Sequence, residues 1–131
     1  MANKYLNPPS LMTPVGYTHI VEAVGTRTIY ISGQVALDAM GNVVGRGDMR
    51  AQAQQVFENI HAALQAIGAS FKDIVKMTYF VVDMSQFQAV REVRDQFMQP
   101  EYLPASTAVE VRRLVREEFL IEVEAIVVFG A

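Results

Sequence analysis

The sequence contains no cysteine and no tryptophan. Without thiols it has no disulfide, no thiolate metal site and no cysteine nucleophile. No apolar run approaches the roughly 20 residues that a membrane-spanning helix needs. The opening MANKYLNPPSLMTP has no apolar signal core, so export is not expected and a cytoplasmic location is. An excess of positive charge is missing too. Eleven Lys and Arg stand against fourteen Asp and Glu, a net charge of −3, whereas a general nucleic-acid binder carries a basic face. The two histidines, His19 and His61, have no ligand spacing around them, so no metal site is expected. Phosphate loops and dinucleotide fingerprints are absent, and no cofactor is implied.

What is present suits one domain, residues 1–131. His19 to Val24 and Thr28 to Leu37 are strand-like and separated by Gly25-Thr26-Arg27, which is hairpin spacing. Gly33 interrupts the second run and marks a bulge or a close approach of backbone. Residues 38–48 are glycine-rich loop. Met49, Ala53, Val56, Ile60, Leu64 and Ile67 then recur at helical spacing, with Asp48 to cap the start and Gly68 to end it. Ile74 to Val82 reads as a strand. A second helix is predicted from Ser85, with Ser85 and Gln88 as a capping box. Phe87, Val90, Arg94 and Phe97 follow at helical spacing, three of them apolar. Pro100 and Pro104 stop the helix, and strands are expected over Ser106 to Leu114 and Leu120 to Phe129.

The predicted order is ββαβαββ, an α+β fold with two helices on one face of a mixed sheet. Helices cover a single face, yet the strands are apolar on both. In the last strand Ile121, Val123, Ala125, Val127 and Phe129 point one way. Ile126 and Val128 point the other way beside Glu122 and Glu124. An apolar sheet face left uncovered calls for a partner surface, and a symmetric homo-oligomer is the simplest supplier.

Three tracts carry a likeness: ISGQVALD (Ile31 to Asp38), GASFKDIVKMTYFVVDM (Gly68 to Met84), and PASTAVEVRRL (Pro104 to Leu114) followed by IEVEAIVV. In this order and spacing they resemble the Rid/YjgF family, the reactive-intermediate deaminases that hydrolyse small imines and enamines. The resemblance implies a chorismate-mutase-like subunit, a homotrimer, and ligand clefts between adjacent subunits. By position it implies that Tyr17 stands at the mouth of the cleft and that Ser32 and Gly33 line it. Glu122 falls on the glutamate that holds or activates the attacking water. Ser106 stands where active deaminases have an arginine for the substrate carboxylate. Thr107 follows it, and Ala108 replaces a frequent cysteine. Arg91 falls where many deaminases have asparagine.

Imine hydrolysis needs a deprotonated water at the C=N carbon, a protonated nitrogen to leave as ammonia, and a grip on the substrate. For a 2-imino acid a guanidinium is the natural grip, because its planar donors match a carboxylate. Serine cannot neutralise that charge. Arg112 lies six residues beyond Ser106, about 20 Å along an extended chain, and cannot take its place. Arg91, or another arginine on a neighbouring element, is the better source. The expected function is hydrolytic deamination of a small, specialised imine or enamine with Glu122 as the catalytic group. The alternatives are a non-catalytic trimer that binds a small ligand and, least favoured, an endoribonuclease.

Overall fold

The computed structural model describes residues 2–131. Its strands are β1 (Lys4–Leu6), β2 (Ile20–Glu22), β3 (Arg27–Gln34), β4 (Ile74–Val81), β5 (Ala105–Glu110) and β6 (Ile121–Phe129). The helices are α1 (Met49–Ile67), between β3 and β4, and α2 (Phe87–Phe97), between β4 and β5. Four strands form one mixed sheet in the order β3-β6-β4-β5. β6 runs antiparallel to both of its neighbours, and β4 and β5 are parallel, joined through α2. The expected α+β class and the mixed sheet are thus present.

The first helix forms as its apolar spacing requires. Met49, Ala53, Val56, Ile60 and Leu64 are buried in one stripe. The Asp48 carboxylate accepts from the Ala51 amide at 3.1 Å, satisfying an otherwise orphaned N-terminal donor. Gly68 ends the helix in the left-handed conformation, φ 76°, where a side chain would be strained. The stripe packs on Ile74, Met77, Tyr79 and Val81 of β4 and on Ile121, Val123, Ala125 and Val127 of β6, all buried. Each such side chain contributes about 1.5–3 kcal/mol by leaving water. Phe57 stacks against Phe71 and Phe97 and closes the end of this core. The one buried amide on α1, Gln52, is fully used. It donates to the Gly45 and Glu118 carbonyls and accepts from the Leu120 amide, which ties the loop before β6 to the helix.

Three local expectations are corrected. The strand around residues 20–22 does not pair with β3 as a hairpin. It pairs with β1 of the opening arm, Tyr5 opposite Val21, in a separate two-stranded sheet. Hairpin spacing permits pairing of neighbours but cannot exclude a competing strand from the arm. The second helix begins at Phe87, and Ser85 forms no capping box. Asp83 instead accepts from the Ser85 amide and hydroxyl and starts a 3₁₀ turn over residues 84–86, while the Gln88 side chain turns to Glu92. The strand expected from Ser106 to Leu114 ends at Glu110, so Arg112 lies in a loop.

The face of the sheet away from the helices is open. Tyr30 on β3 is 75% exposed, and Glu124 on β6 and Val109 on β5 are exposed as well. Phe80, Ile126 and Val128 are only half-buried there. This is the apolar surface that alternation in the sequence leaves unpartnered.

Candidate functional site

The residues singled out from sequence fall at two opposite edges of the four-stranded sheet. Ser32, Gly33 and Glu122 meet at the β3 edge. The register between β3 and β6 slips between Ile31 and Gln34, so a bulge carries Ser32 and Gly33. The Glu122 side chain lies directly over Gly33. A methyl group added there would stand 2.0 Å from Oε2 and 2.7 Å from the carboxyl carbon. The missing side chain at position 33 is the space that Glu122 occupies. Glu122 is half-buried and Ser32 is exposed beside it. Neither oxygen of Glu122 has a protein cation within salt-bridge distance among the described residues. A half-buried carboxylate free of such partners is available to accept a proton from water. Glu124 shares its face, two residues on, and is exposed opposite Thr78.

The other edge is built by β5 and the opening arm. Thr18 fastens the two together. Its amide donates to the Pro104 carbonyl at 3.1 Å and its hydroxyl to the Leu103 carbonyl at 2.6 Å. Tyr17 is thereby held next to the start of β5, edge-on to the His19 ring at 5.2 Å. His19 in turn bonds the Met12 carbonyl at 2.6 Å. Ser106 and Ala108 pair with Met77 and Tyr79, so their side chains point to the helix side of the sheet. Thr107 pairs with Thr78 and points to the open side, where it accepts a hydrogen bond from the Lys76 ammonium at 2.7 Å. Gly16, Tyr17, Thr18 and Leu103 help line an open cavity of about 520 Å³.

Glu122 and Ser106 are therefore not brought together within one chain. β6 and β5 are separated by β4, the two residues point to opposite faces, and their register positions on β4 are Phe80 and Met77. From β3 to β5 the separation is about 14 Å by strand spacing. A substrate of a few atoms cannot touch both edges of one sheet. Arg91 joins neither group. It is exposed on α2 and lies over the Phe87 ring, 5.1 Å from its centroid.

Two contributors went unread in the sequence. Thr18 gives no local signal, since its partners lie 85 residues away. Arg94 does give one, because it falls on the apolar stripe of α2. It is buried, 9% exposed. Its guanidinium stands against Gly16, where an added methyl group would lie 2.7 Å from Nη2 and 2.9 Å from Nη1. Gly16 is at φ 82°, so both the backbone and the neighbouring arginine demand glycine.

Residues 10–129 match the family model described as Endoribonuclease L-PSP. A RutC family protein of Pyrococcus horikoshii is 39% identical over 114 residues, covering 86% of this chain and 87% of that protein. A 2-iminobutanoate/2-iminopropanoate deaminase of the mite Dermatophagoides farinae is 34% identical and covers 95% of both. Among solved structures, the Rid-family protein YyfB of Yersinia pestis, itself of unknown function, superposes with a TM-score of 0.92 at 33% identity. The match covers 98% of this chain and all of that one. With the whole fold and the sequence tracts in agreement, the chain belongs to the Rid/YjgF family, whose model carries the endoribonuclease L-PSP description.

Proposed function

We propose that this protein hydrolytically deaminates a small imine or enamine in a cleft assembled from two copies of the chain. The observation that carries the reading is the Glu122 carboxylate lying over Gly33 at the β3 bulge, half-buried and free of a protein cation. Glu122 takes a proton from water as the oxygen bonds to the C=N carbon. That proton passes to the imine nitrogen, giving a carbinolamine. As it collapses its hydroxyl proton is passed to the nitrogen, and ammonia leaves with the C–N electron pair. The organic product is a carbonyl compound. Several relatives carry the name 2-iminobutanoate/2-iminopropanoate deaminase, which supports this class of substrate.

The separation of the two edges supports a second copy in the cleft. A closed ring that seats the β5 edge of one copy on the β3 edge of the next unites Tyr17, Ser106, Thr107 and Ala108 with Ser32, Gly33 and Glu122. It also covers the open apolar face around Tyr30 and Phe80. The family resemblance supplies the number three. Lack of cysteine fits a reducing, cytoplasmic setting. One observation favours a second reading. Ser106 offers no cation, so a trimer that binds a ligand without turning it over accounts for the cleft equally well.

Ammonia release from imines freshly made by an amino-acid oxidase tests the choice. Acceleration by the wild type that disappears in Glu122→Gln supports deamination. No acceleration over buffer, across neutral, acidic and aromatic side chains, rejects it and leaves the binding trimer. Light scattering at micromolar concentration reads the number of copies, and a monomer sinks the shared cleft.

A further inference from the structure

A 2-imino acid, the substrate class named for several relatives, carries a carboxylate. Bringing that anion beside Glu122 without a cation is unfavourable once water is excluded. Ser106 offers none, and Arg91 is spent in solvent over Phe87. On the side of the sheet to which Ser106 points, Arg50 is paired with Glu92 and a second guanidinium, Arg94, is buried. Arg94 enters from α2 and stands against Gly16, in the arm segment that Thr18 fastens to the Leu103 and Pro104 carbonyls just before Ser106.

The environment of Arg94 is unusual for a buried charge. Its one carboxylate partner among the described residues is the adjacent Asp95, whose side chain is 66% exposed. Nε and Nη2 both donate to the same oxygen, Oδ1, at 3.2 and 3.1 Å. Both Nη1 hydrogens and one on Nη2 have no acceptor among the described residues. No fully enclosed polar side-chain atom among those residues lacks a partner, so this end of the guanidinium borders solvent. Gly16 stands against the guanidinium, and Gly16 also lines the cavity beside Tyr17 and Thr18. A buried arginine ordinarily saturates its donors, and this one keeps N–H groups in reserve against Gly16, a residue of the cavity wall.

We propose that Arg94 is the substrate-binding cation of the cleft, taking the carboxylate of a 2-imino or 2-oxo acid between its unassigned N–H groups and the Ser106 hydroxyl. In this arrangement specificity for anionic substrates comes from the helix rather than from β5. Asp95 acts as an internal competitor that holds the guanidinium when the cavity is empty. The proposal rests on the deaminase reading for the identity of the substrate, but binding tests it without turnover.

Isothermal titration of the full-length protein with 2-oxobutanoate, and with its uncharged amide as control, gives the readout. The wild type binds the acid. Arg94→Met weakens that binding about tenfold to a hundredfold and leaves the amide unchanged, and Arg94→Lys recovers part of the loss. Asp95→Asn, an exposed change that spares the fold, tightens the acid several-fold by releasing the guanidinium. That gain keeps the proposal testable even where Arg94→Met does not fold. No binding of the acid by the wild type overturns the proposal, as does equal binding by a folded Arg94→Met or unchanged affinity in Asp95→Asn. Acid binding without ammonia release leaves the Arg94 assignment standing and removes the deaminase reading. Ammonia release from neutral imines with no acid binding does the reverse.

Discussion

The β3 edge and the β5 edge of the same sheet are built by different means. At the β3 edge Glu122, Ser32 and Gly33 are placed by strand alternation and one bulge, on two strands that pair directly. At the β5 edge Tyr17, Arg94 and Ser106 come from an arm, a helix and a strand, held together by side chains reaching across the fold. The proposed acid is placed by a single strand pairing, and the candidate binding groups by contacts among three separate elements. The two edges therefore fail in different ways, and chemistry can be separated from binding by mutation.

The largest expected effect is at the acid. Glu122→Gln keeps the shape and removes the base, and ammonia release should fall by about 10²–10⁴ with binding of 2-oxobutanoate retained. Equal loss of both would erase the distinction between the edges. A mixing experiment sharpens it. Co-refolded Glu122→Gln and Arg94→Met chains, each impaired alone at low concentrations of the acid substrate, should regain activity at about a quarter of the interfaces, because each intact cleft takes one edge from each variant. A mixture as inactive as its components places the whole site within one chain. Gly33→Ala should push the Glu122 carboxylate from its seat and lower kcat by about tenfold to a hundredfold, with melting temperature nearly unchanged. Unaltered kcat would mean that the position of the carboxylate over Gly33 is incidental. Ser106→Arg adds a second cation at the other edge and should tighten 2-oxobutanoate by about tenfold while leaving the amide alone. The smallest effect is Thr18→Val, which removes the hydroxyl donor to Leu103 and should cost about 1 kcal/mol in urea unfolding. Ligand affinity should weaken with it, whereas the position of Glu122 should not respond.

Legibility in the sequence follows the same division. The stripe from Met49 to Leu64, its Asp48 cap and its Gly68 stop were readable because a helix is specified by residues three and four apart. Gly33 as a bulge, and Glu122 with Glu124 on one face, were readable for the equivalent reason in strands. The pairing of β2 with the arm was not, since two three-residue strands carry too few side chains to announce a partner. Ser85 and Gln88 had the composition of a capping box, but Asp83, two residues earlier, offered a charged acceptor and took the Ser85 amide. Arg94 was visible as a charge on an apolar stripe. Its meaning required Gly16, 78 positions earlier, to be placed against it.

By itself the sequence determined the α+β class, the main core, the open second face and the shared face of Glu122 and Glu124, because each depends on periodicity along one element or on a short tract. Only the tertiary structure decided that the acid and Ser106 stand at opposite edges and on opposite faces of one sheet. It alone put the buried guanidinium against Gly16. Strand order and crossover direction set those relations, and they arise from contacts between residues far apart in the chain, which no local pattern records.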